Sequence, residues 1–235
     1  MRYVPLIFLL LVSVDAQAQG VVTDTAARCG KTAYGRVATC YVFQDIAIIA
    51  TSEPVFQGGG TLSCGPWSFD LWTSYELSSG PYGNRGYGDE VDLSFYYRRS
   101  VGSFEFEGSG AYYAEPAFGR SSDDLVVFYG DIGRPIALGG VTITPFARVS
   151  QWLGLGYFGN QTFVRPGLRF SISLIDNVTL SGDISRSFDL TNSAGVNRSE
   201  VTLAKDLGDG LGVTVNAKFT EYLKPVWGFG GSKSW

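Results

Sequence analysis

The stretch Trp67-Ser68-Phe69-Asp70-Leu71-Trp72-Thr73-Ser74-Tyr75-Glu76-Leu77 decides how this chain is read. In an extended strand, Trp67, Phe69, Leu71, Thr73, Tyr75 and Leu77 share one face, and Ser68, Asp70, Trp72, Ser74 and Glu76 share the other. One face is apolar and the other carries carboxylates and hydroxyls. About ten residues of such alternation is the length a tilted strand needs to cross a bilayer.

The pattern recurs outward from this stretch. Glu90 to Arg98 sets Val91, Leu93, Phe95 and Tyr97 against Glu90, Asp92, Ser94, Tyr96 and Arg98. Thr162 to Leu174 sets Val164, Leu168, Phe170, Ile172 and Leu174 against Arg165, Gly167, Arg169, Ser171 and Ser173. Leu211 to Tyr222 alternates in the same way, and helical periodicity is almost absent. The segments predict twelve strands, over 33–44, 54–64, 67–77, 90–100, 103–113, 124–132, 141–151, 162–174, 178–188, 198–207, 211–222 and 226–235. The sixth is nearly continuous apolar, so its facing is ambiguous, and Pro145 interrupts the ladder of the seventh. Discounting these two leaves ten.

The connections alternate in length. Gly65-Pro66, Val101-Gly102, Ile175-Asp176-Asn177 and Gly208-Asp209-Gly210 read as tight turns, with longer polar connections at 45–53, 78–89, 114–123, 152–161 and 189–197. Two depart from the rhythm: 133–140 is long for a turn and 223–225 short for a loop. Short turns on one rim and long loops on the other describe an outer-membrane β-barrel. In lipid every backbone donor and acceptor must be satisfied internally, so a sheet spans only by closing on itself. The expected fold class is therefore all-β, a single closed antiparallel transmembrane barrel. The alternative is a water-soluble β-sandwich, which would show the same alternation because it too buries one face.

Composition agrees. Of 235 residues only 17% are charged, below the roughly 25% of soluble proteins, and 31 are Gly. The absence of histidine excludes Ser-His-Asp and Cys-His machinery and His-ligated zinc or haem. A net charge of −4 spread along the chain argues against a nucleic-acid partner. No cofactor is expected, and the cysteine spacings match no metal motif. Arg2, the apolar run Val4–Val14 and Ala16-Gln17-Ala18 form a secretory signal peptide pattern. The expected organisation is a signal peptide over 1–18, an N-terminal periplasmic segment over 19–32 and the barrel over 33–235.

Several short motifs carry a family resemblance. Tyr41-Val42-Phe43-Gln44-Asp45-Ile46 resembles a YVFRGI-type segment of the TorF-like porin family, with Gln44 and Asp45 in place of Arg and Gly. Pro54-Val55-Phe56-Gln57-Gly58-Gly59 is similar to its PAIQGG-type segment, and the stretch from Gly65 to Trp72 to its second periplasmic turn and third strand. Gly231-Ser232-Lys233-Ser234-Trp235 resembles its closing SKSF, with Trp for Phe. With Glu90-Val91-Asp92-Leu93 the similarity spans most of the mature chain. The resemblance implies an outer-membrane barrel of the porin kind and supplies no catalytic residues.

If the apolar faces meet lipid, the opposite faces line a lumen. That puts Asp70, Glu76, Glu90, Asp92, Glu105 and Glu107 inside on the third to fifth strands, and Arg148, Arg165 and Arg169 inside on the seventh and eighth. Lys218 and Arg36 extend the basic side. An acidic wall facing a basic wall would create a transverse field across the pore and select small polar solutes. The same charges could instead pair and fill a narrow interior. Trp67, Tyr75, Trp152, Tyr157, Tyr222 and Trp227 are expected in the interfacial girdles, and Tyr82, Arg85 and Tyr87 in a loop that could meet an extracellular partner.

Export to an oxidising compartment makes a disulfide plausible among Cys29, Cys40 and Cys64. Pairing the first two strands around 45–53 sets Gln44 opposite Pro54 and position 34 near position 64. Cys29 and Cys64 then meet at one rim, with Cys40 mid-strand opposite about Gly58. Three thiols free or oxidised at random is the alternative. The expected function is a passive outer-membrane channel whose partners are outer-membrane lipid and small polar solutes, its oligomeric state left open. A non-conducting barrel whose loops bind a surface partner is the second reading. An enzyme is the third and weakest, since no catalytic His exists.

Overall fold

A computed structural model of the protein describes residues 29–43, 48–77, 90–114, 124–155, 159–175, 177–192, 194–221 and 223–235. The signal-peptide pattern, Tyr82, Arg85, Tyr87, Tyr157 and Tyr222 lie outside these residues. The first half of the chain forms β1 (Gly30–Ala38), β2 (Tyr41–Phe43), β3 (Ile48–Thr51), β4 (Val55–Cys64), β5 (Trp67–Glu76), β6 (Glu90–Val101) and β7 (Phe104–Ala114). The second half forms β8 (Leu125–Gly133), β9 (Ile136–Leu138), β10 (Val141–Gly154), β11 (Gln161–Ile175), β12 (Val178–Asp189), β13 (Ala194–Gly208), β14 (Leu211–Thr220) and β15 (Val226–Ser234).

Twelve of these are staves of one closed antiparallel barrel, running β1-β4-β5-β6-β7-β8-β10-β11-β12-β13-β14-β15 and back to β1. Closure removes every long edge, which is what the hydrocarbon layer demands. At the closing seam Lys31 N donates to Trp235 O at 3.2 Å and Trp235 N to Lys31 O at 2.9 Å. Beside them the Thr32 and Ser234 hydroxyls meet at 3.0 Å.

Side chains divide cleanly between the two faces. Leu71 and Leu93 are cross-strand partners, 51% and 59% exposed on the outside, while their neighbours Asp70 and Asp92 are each 4% exposed within. The apolar outer surface is the lipid face. Its girdle includes Trp67, Tyr75 and Trp227, all outward and exposed.

The short-turn rim is built on left-handed residues. Gly65, Gly102, Gly139 and Asn177 have φ near +60°, and Gly208-Asp209-Gly210 is left-handed throughout. Glycine also permits close packing in the wall. Tyr34 lies opposite Gly59, Phe128 opposite Gly110, Phe146 opposite Gly167 and Phe170 opposite Gly182. Each ring lies over a partner that has no side chain, the cross-strand arrangement known to rescue strand glycines. A Cβ on Gly59 would fall 2.2 Å from Leu71 O and 2.6 Å from Tyr34 Oη.

Two local departures from the sequence reading have physical causes. Pro145 leaves β10 continuous, and the break falls on the neighbouring stave, where Arg134 and Pro135 separate β8 from β9. Arg134 N donates to Pro145 O at 3.1 Å across this break. The irregular connection 133–140 is thus a kinked stave followed by a tight turn at Gly139-Gly140.

The second departure is larger. The first stave ends at Ala38, not at 44, and starts at Gly30, ahead of the expected 33. Tyr34 pairs with Gly59 and Ala38 with Val55, so the register with position 34 near position 64 is corrected. The residues expected to continue the stave form their own two-stranded ladder, β2 with β3. Cys40 consequently lies beyond the stave instead of opposite Gly58; it is a free cysteine. Cys29 and Cys64 are joined by a disulfide, Cα atoms 4.3 Å apart.

Candidate functional site

The inward positions of the staves carry most of the polar chemistry. Asp70, Glu76, Glu90, Asp92, Arg165, Lys218 and Arg36 are buried on the inner face, and Glu105, Glu107, Arg148 and Arg169 are partly buried there. Parity alone puts them on this face, because each occupies the alternate set to the exposed apolar residues of its strand.

The charges meet along the wall. Glu107 on β7 accepts from its cross-strand partner Arg98 on β6, from the Tyr129 hydroxyl on β8, and from Arg148 Nη2 on β10 at 3.4 Å. Asp131 on β8 accepts from Arg148 Nε at 2.9 Å and from Arg169 Nη2 at 2.5 Å. The Arg148 guanidinium lies 3.8 Å from the Tyr129 ring centroid, and that of Arg169 lies 4.0 Å from Phe146. Such stacking suits a planar, weakly hydrated cation in a half-dry interior. Five consecutive staves, β6, β7, β8, β10 and β11, are laced together this way.

Other sectors follow the same design. Lys218 Nζ is 2.9 Å from Glu200 on the adjoining β13, and Asn216 donates to the same carboxylate at 3.0 Å. Arg36 donates to Gln57 Oε1 at 2.7 Å and 3.1 Å, and Gln57 donates to Ser74 at 3.2 Å. Asp70 accepts from Tyr34 at 2.8 Å and from Thr61 at 2.6 Å.

This arrangement corrects the picture of an acidic wall facing a basic one. On one side only β8, carrying Asp131, separates the acidic staves β5 to β7 from the basic staves β10 and β11, and Glu107 and Asp131 both reach the arginines across it. The basic sector is a near neighbour of the acidic one, and its arginines are met locally. Asp131, Arg98 and Glu200 were missing from the sequence-derived set. Alternation does place Arg98 on the face of Glu90 and Asp92, but not its pairing with Glu107. Asp131 could not be placed because the strand it closes opens with Leu125-Val126-Val127-Phe128, apolar on both faces.

Near the long-loop rim the interior changes character. Tyr41, Val42 and Ala50 of the β2–β3 hairpin pack against the inward residues Tyr34, Ala38, Val55, Trp72 and Val226, with Cys40 alongside. Tyr41 is 1% exposed, its ring centroid 5.9 Å from that of Trp72, and it lies beside Glu90 and Asp92. A second cluster, Leu125, Val127, Trp152 and Phe163 with Tyr113 against it, lines the inner face of β8, β10 and β11. Trp152 is therefore an interior residue and not part of a lipid-facing girdle. It has the same parity as Arg148, which fixes its direction. Among the described residues no group of three or more Cys, Asp and Glu is arranged to hold a metal ion.

Comparison with known proteins gives a consistent picture of the architecture. No protein-family model matches the chain, and no curated protein matches it in sequence. Solved structures do. The KdgM porin superposes with a TM-score of 0.60 at 9% identity, covering 87% of this chain and 99% of its own. The NanC porin gives 0.55 at 7% identity, covering 87% and 98%. The COG4313 outer membrane channel from Pseudomonas putida F1 gives 0.53 at 10% identity, covering 91% and 97%.

The chain is an outer-membrane β-barrel with a porin fold. At these identities the likeness is one of fold, shared over nearly the whole described chain.

Proposed function

We propose that the protein is a passive outer-membrane channel that passes small polar solutes through a charged lumen. The carrying observation is the division of faces: an apolar exterior around an interior dressed with Asp70, Asp92, Glu107, Asp131, Arg148, Arg165, Arg169 and Lys218. The porin neighbours support the same reading, and one of them was solved in complex with oligogalacturonate. Of the segments that resemble TorF-like porins, Tyr41-Val42-Phe43 falls on β2, Val55 to Gly59 on β4 and Gly231 to Ser234 on β15, and a TorF-like porin is the narrower form of the proposal. In this reading residues 1–18 direct export as a signal peptide, 19–32 lie in the periplasm, and the short-turn rim faces the periplasm, as is usual for such barrels. The lumen groups are wall and filter, with no catalytic role.

Planar-bilayer recording tests the proposal. Purified protein that shows heat-modifiable migration should give discrete conductance steps. A folded but silent barrel would favour the second reading, in which the long loops bind a surface partner. That reading draws support from the mouth, where the hairpin and two apolar clusters occupy interior space.

A further inference from the structure

The β2–β3 hairpin is made of wall-forming sequence that does not form wall. Tyr41-Val42-Phe43 has the β-branched and aromatic character of a stave. The chain nevertheless leaves the barrel after Ala38, whose ladder partner Val55 begins the next stave. Everything between those partners, residues 39–54, is surplus to the barrel's connectivity. A two-residue turn would suffice to join paired strand ends.

Of its described residues, Tyr41, Val42 and Ala50 pack inward. Tyr41 packs on Trp72 of β5 and lies beside Glu90 and Asp92 of β6, all inward residues. Val42 and Ala50 are buried in the same cluster as Val55 of β4 and Val226 of β15. The hairpin therefore spans the inner surface of a sector running from β15 through β1, β4 and β5 to β6, five of the twelve staves in sequence around the wall. Beneath it the Arg36–Gln57–Ser74 chain of hydrogen bonds links three of those staves, with Gln57 wholly buried. The second apolar cluster, with Tyr113, Trp152 and Phe163, lies on other staves, β7, β10 and β11.

We propose that the β2–β3 hairpin, with Tyr41 as its wedge, is the constriction of the lumen and sets the size limit for solutes. The inference rests on the channel reading above. The bare wall is a twelve-stave cylinder; the hairpin narrows it over nearly half its circumference, beside the buried carboxylates of Glu90 and Asp92. Tyr41 against Trp72, with Val42 and Ala50 buried in the same cluster as Val55, anchors the hairpin on the wall.

The test compares three proteins in planar bilayers and by liposome swelling with neutral sugars of graded size. They are the wild type, Tyr41→Ala, and a variant with residues 39–54 replaced by Asn-Gly. The replacement preserves the Ala38–Val55 register, and heat-modifiable migration verifies that each barrel is folded. The hairpin-less variant should conduct severalfold more than wild type and admit larger sugars, and Tyr41→Ala should shift both in the same direction by less. A silent wild type with a conducting hairpin-less variant overturns the size-limit proposal and the channel reading together, since the hairpin then seals the lumen. Equal conductance and equal sugar cutoff in all three would overturn it while leaving the channel intact. Silence in all three, with folded barrels, overturns the channel reading and the constriction with it. Should the hairpin-less variant not fold, Tyr41→Ala decides alone: an unchanged cutoff overturns the proposal.

Discussion

Cys29 and Cys64 stand one ladder step beyond the paired residues Gly30 and Ser63, with their Cα atoms 4.3 Å apart. The disulfide is thus a covalent rung of the β1–β4 ladder at the short-turn rim. It ties the start of the barrel to the stave beside it, next to the turn at Gly65.

Mass mapping under non-reducing conditions should recover a Cys29–Cys64 peptide pair, with Cys40 alone open to alkylation after unfolding. Cys29→Ser should leave the barrel fold intact and lower its stability by about 3–4 kcal/mol, the loop-closure entropy of a cross-link at this separation of 35 residues. Urea titration in lipid vesicles, with and without reductant, measures the difference. A bridge through Cys40 would contradict the observed register.

Asp131 accepts hydrogen bonds from two guanidiniums, those of Arg148 and Arg169. Asp131→Asn removes the shared counter-charge and leaves two interior cations closer to bare. Reversal potentials across a salt gradient should move toward anion preference relative to wild type, and more so at low ionic strength, where screening is weakest. Glu107→Gln should act in the same direction. Unaltered selectivity in both variants would mean that permeating ions do not pass this sector.

Leu93 lies on the outside of β6, opposite Leu71. Leu93→Arg should destabilise the barrel in bilayers by about 2–4 kcal/mol, as expected for a cation near the middle of the lipid face. The same substitution on the water-facing side of a sandwich would cost almost nothing, since exposed positions tolerate charge. Equilibrium unfolding in vesicles checks the value.

Gly59→Ala sets a methyl group 2.2 Å from a backbone oxygen that cannot swing away. Destabilisation of about 1–3 kcal/mol or more should follow, with loss of the Tyr34–Asp70 hydrogen bond, because Tyr34 crosses the same glycine. Gly108→Ala, where nothing lies within 4 Å, is the control and should be close to neutral.

The wall was largely legible in the sequence, and the mouth was not. Period-two alternation over Trp67–Glu76 and Glu90–Arg98 identifies inside and outside correctly because lipid and water impose opposite demands on adjacent residues. Tyr41 defeats that logic, whereas Trp152 obeys it through its parity with Arg148. An aromatic near a strand end has the same composition whether it faces the interface or the mouth, and only strand parity or the path of the chain tells them apart. Register between β1 and β4 depends on where the chain leaves the wall. Tyr41-Val42-Phe43 gives no local sign of that departure, being as fit for a stave as Tyr34 or Val37. Pairing of charges along the wall also escaped, since it depends on which residues end up opposite one another.

The seam between β1 and β15 has a kinetic meaning. Its contacts join residues about two hundred positions apart, as between Thr32 and Ser234. Among all the wall pairings this one alone joins staves far apart in the sequence, and it waits on the last of them. Until β15 arrives, β1 and β14 each present a row of bare amides and carbonyls that lipid cannot solvate. Crossing the membrane and shutting the cylinder must therefore be coupled events, and the slow step belongs to the most distant pair of strands in the chain. A chain shortened by its last stave should accumulate at the bilayer surface as an open, aggregation-prone sheet instead of a smaller barrel.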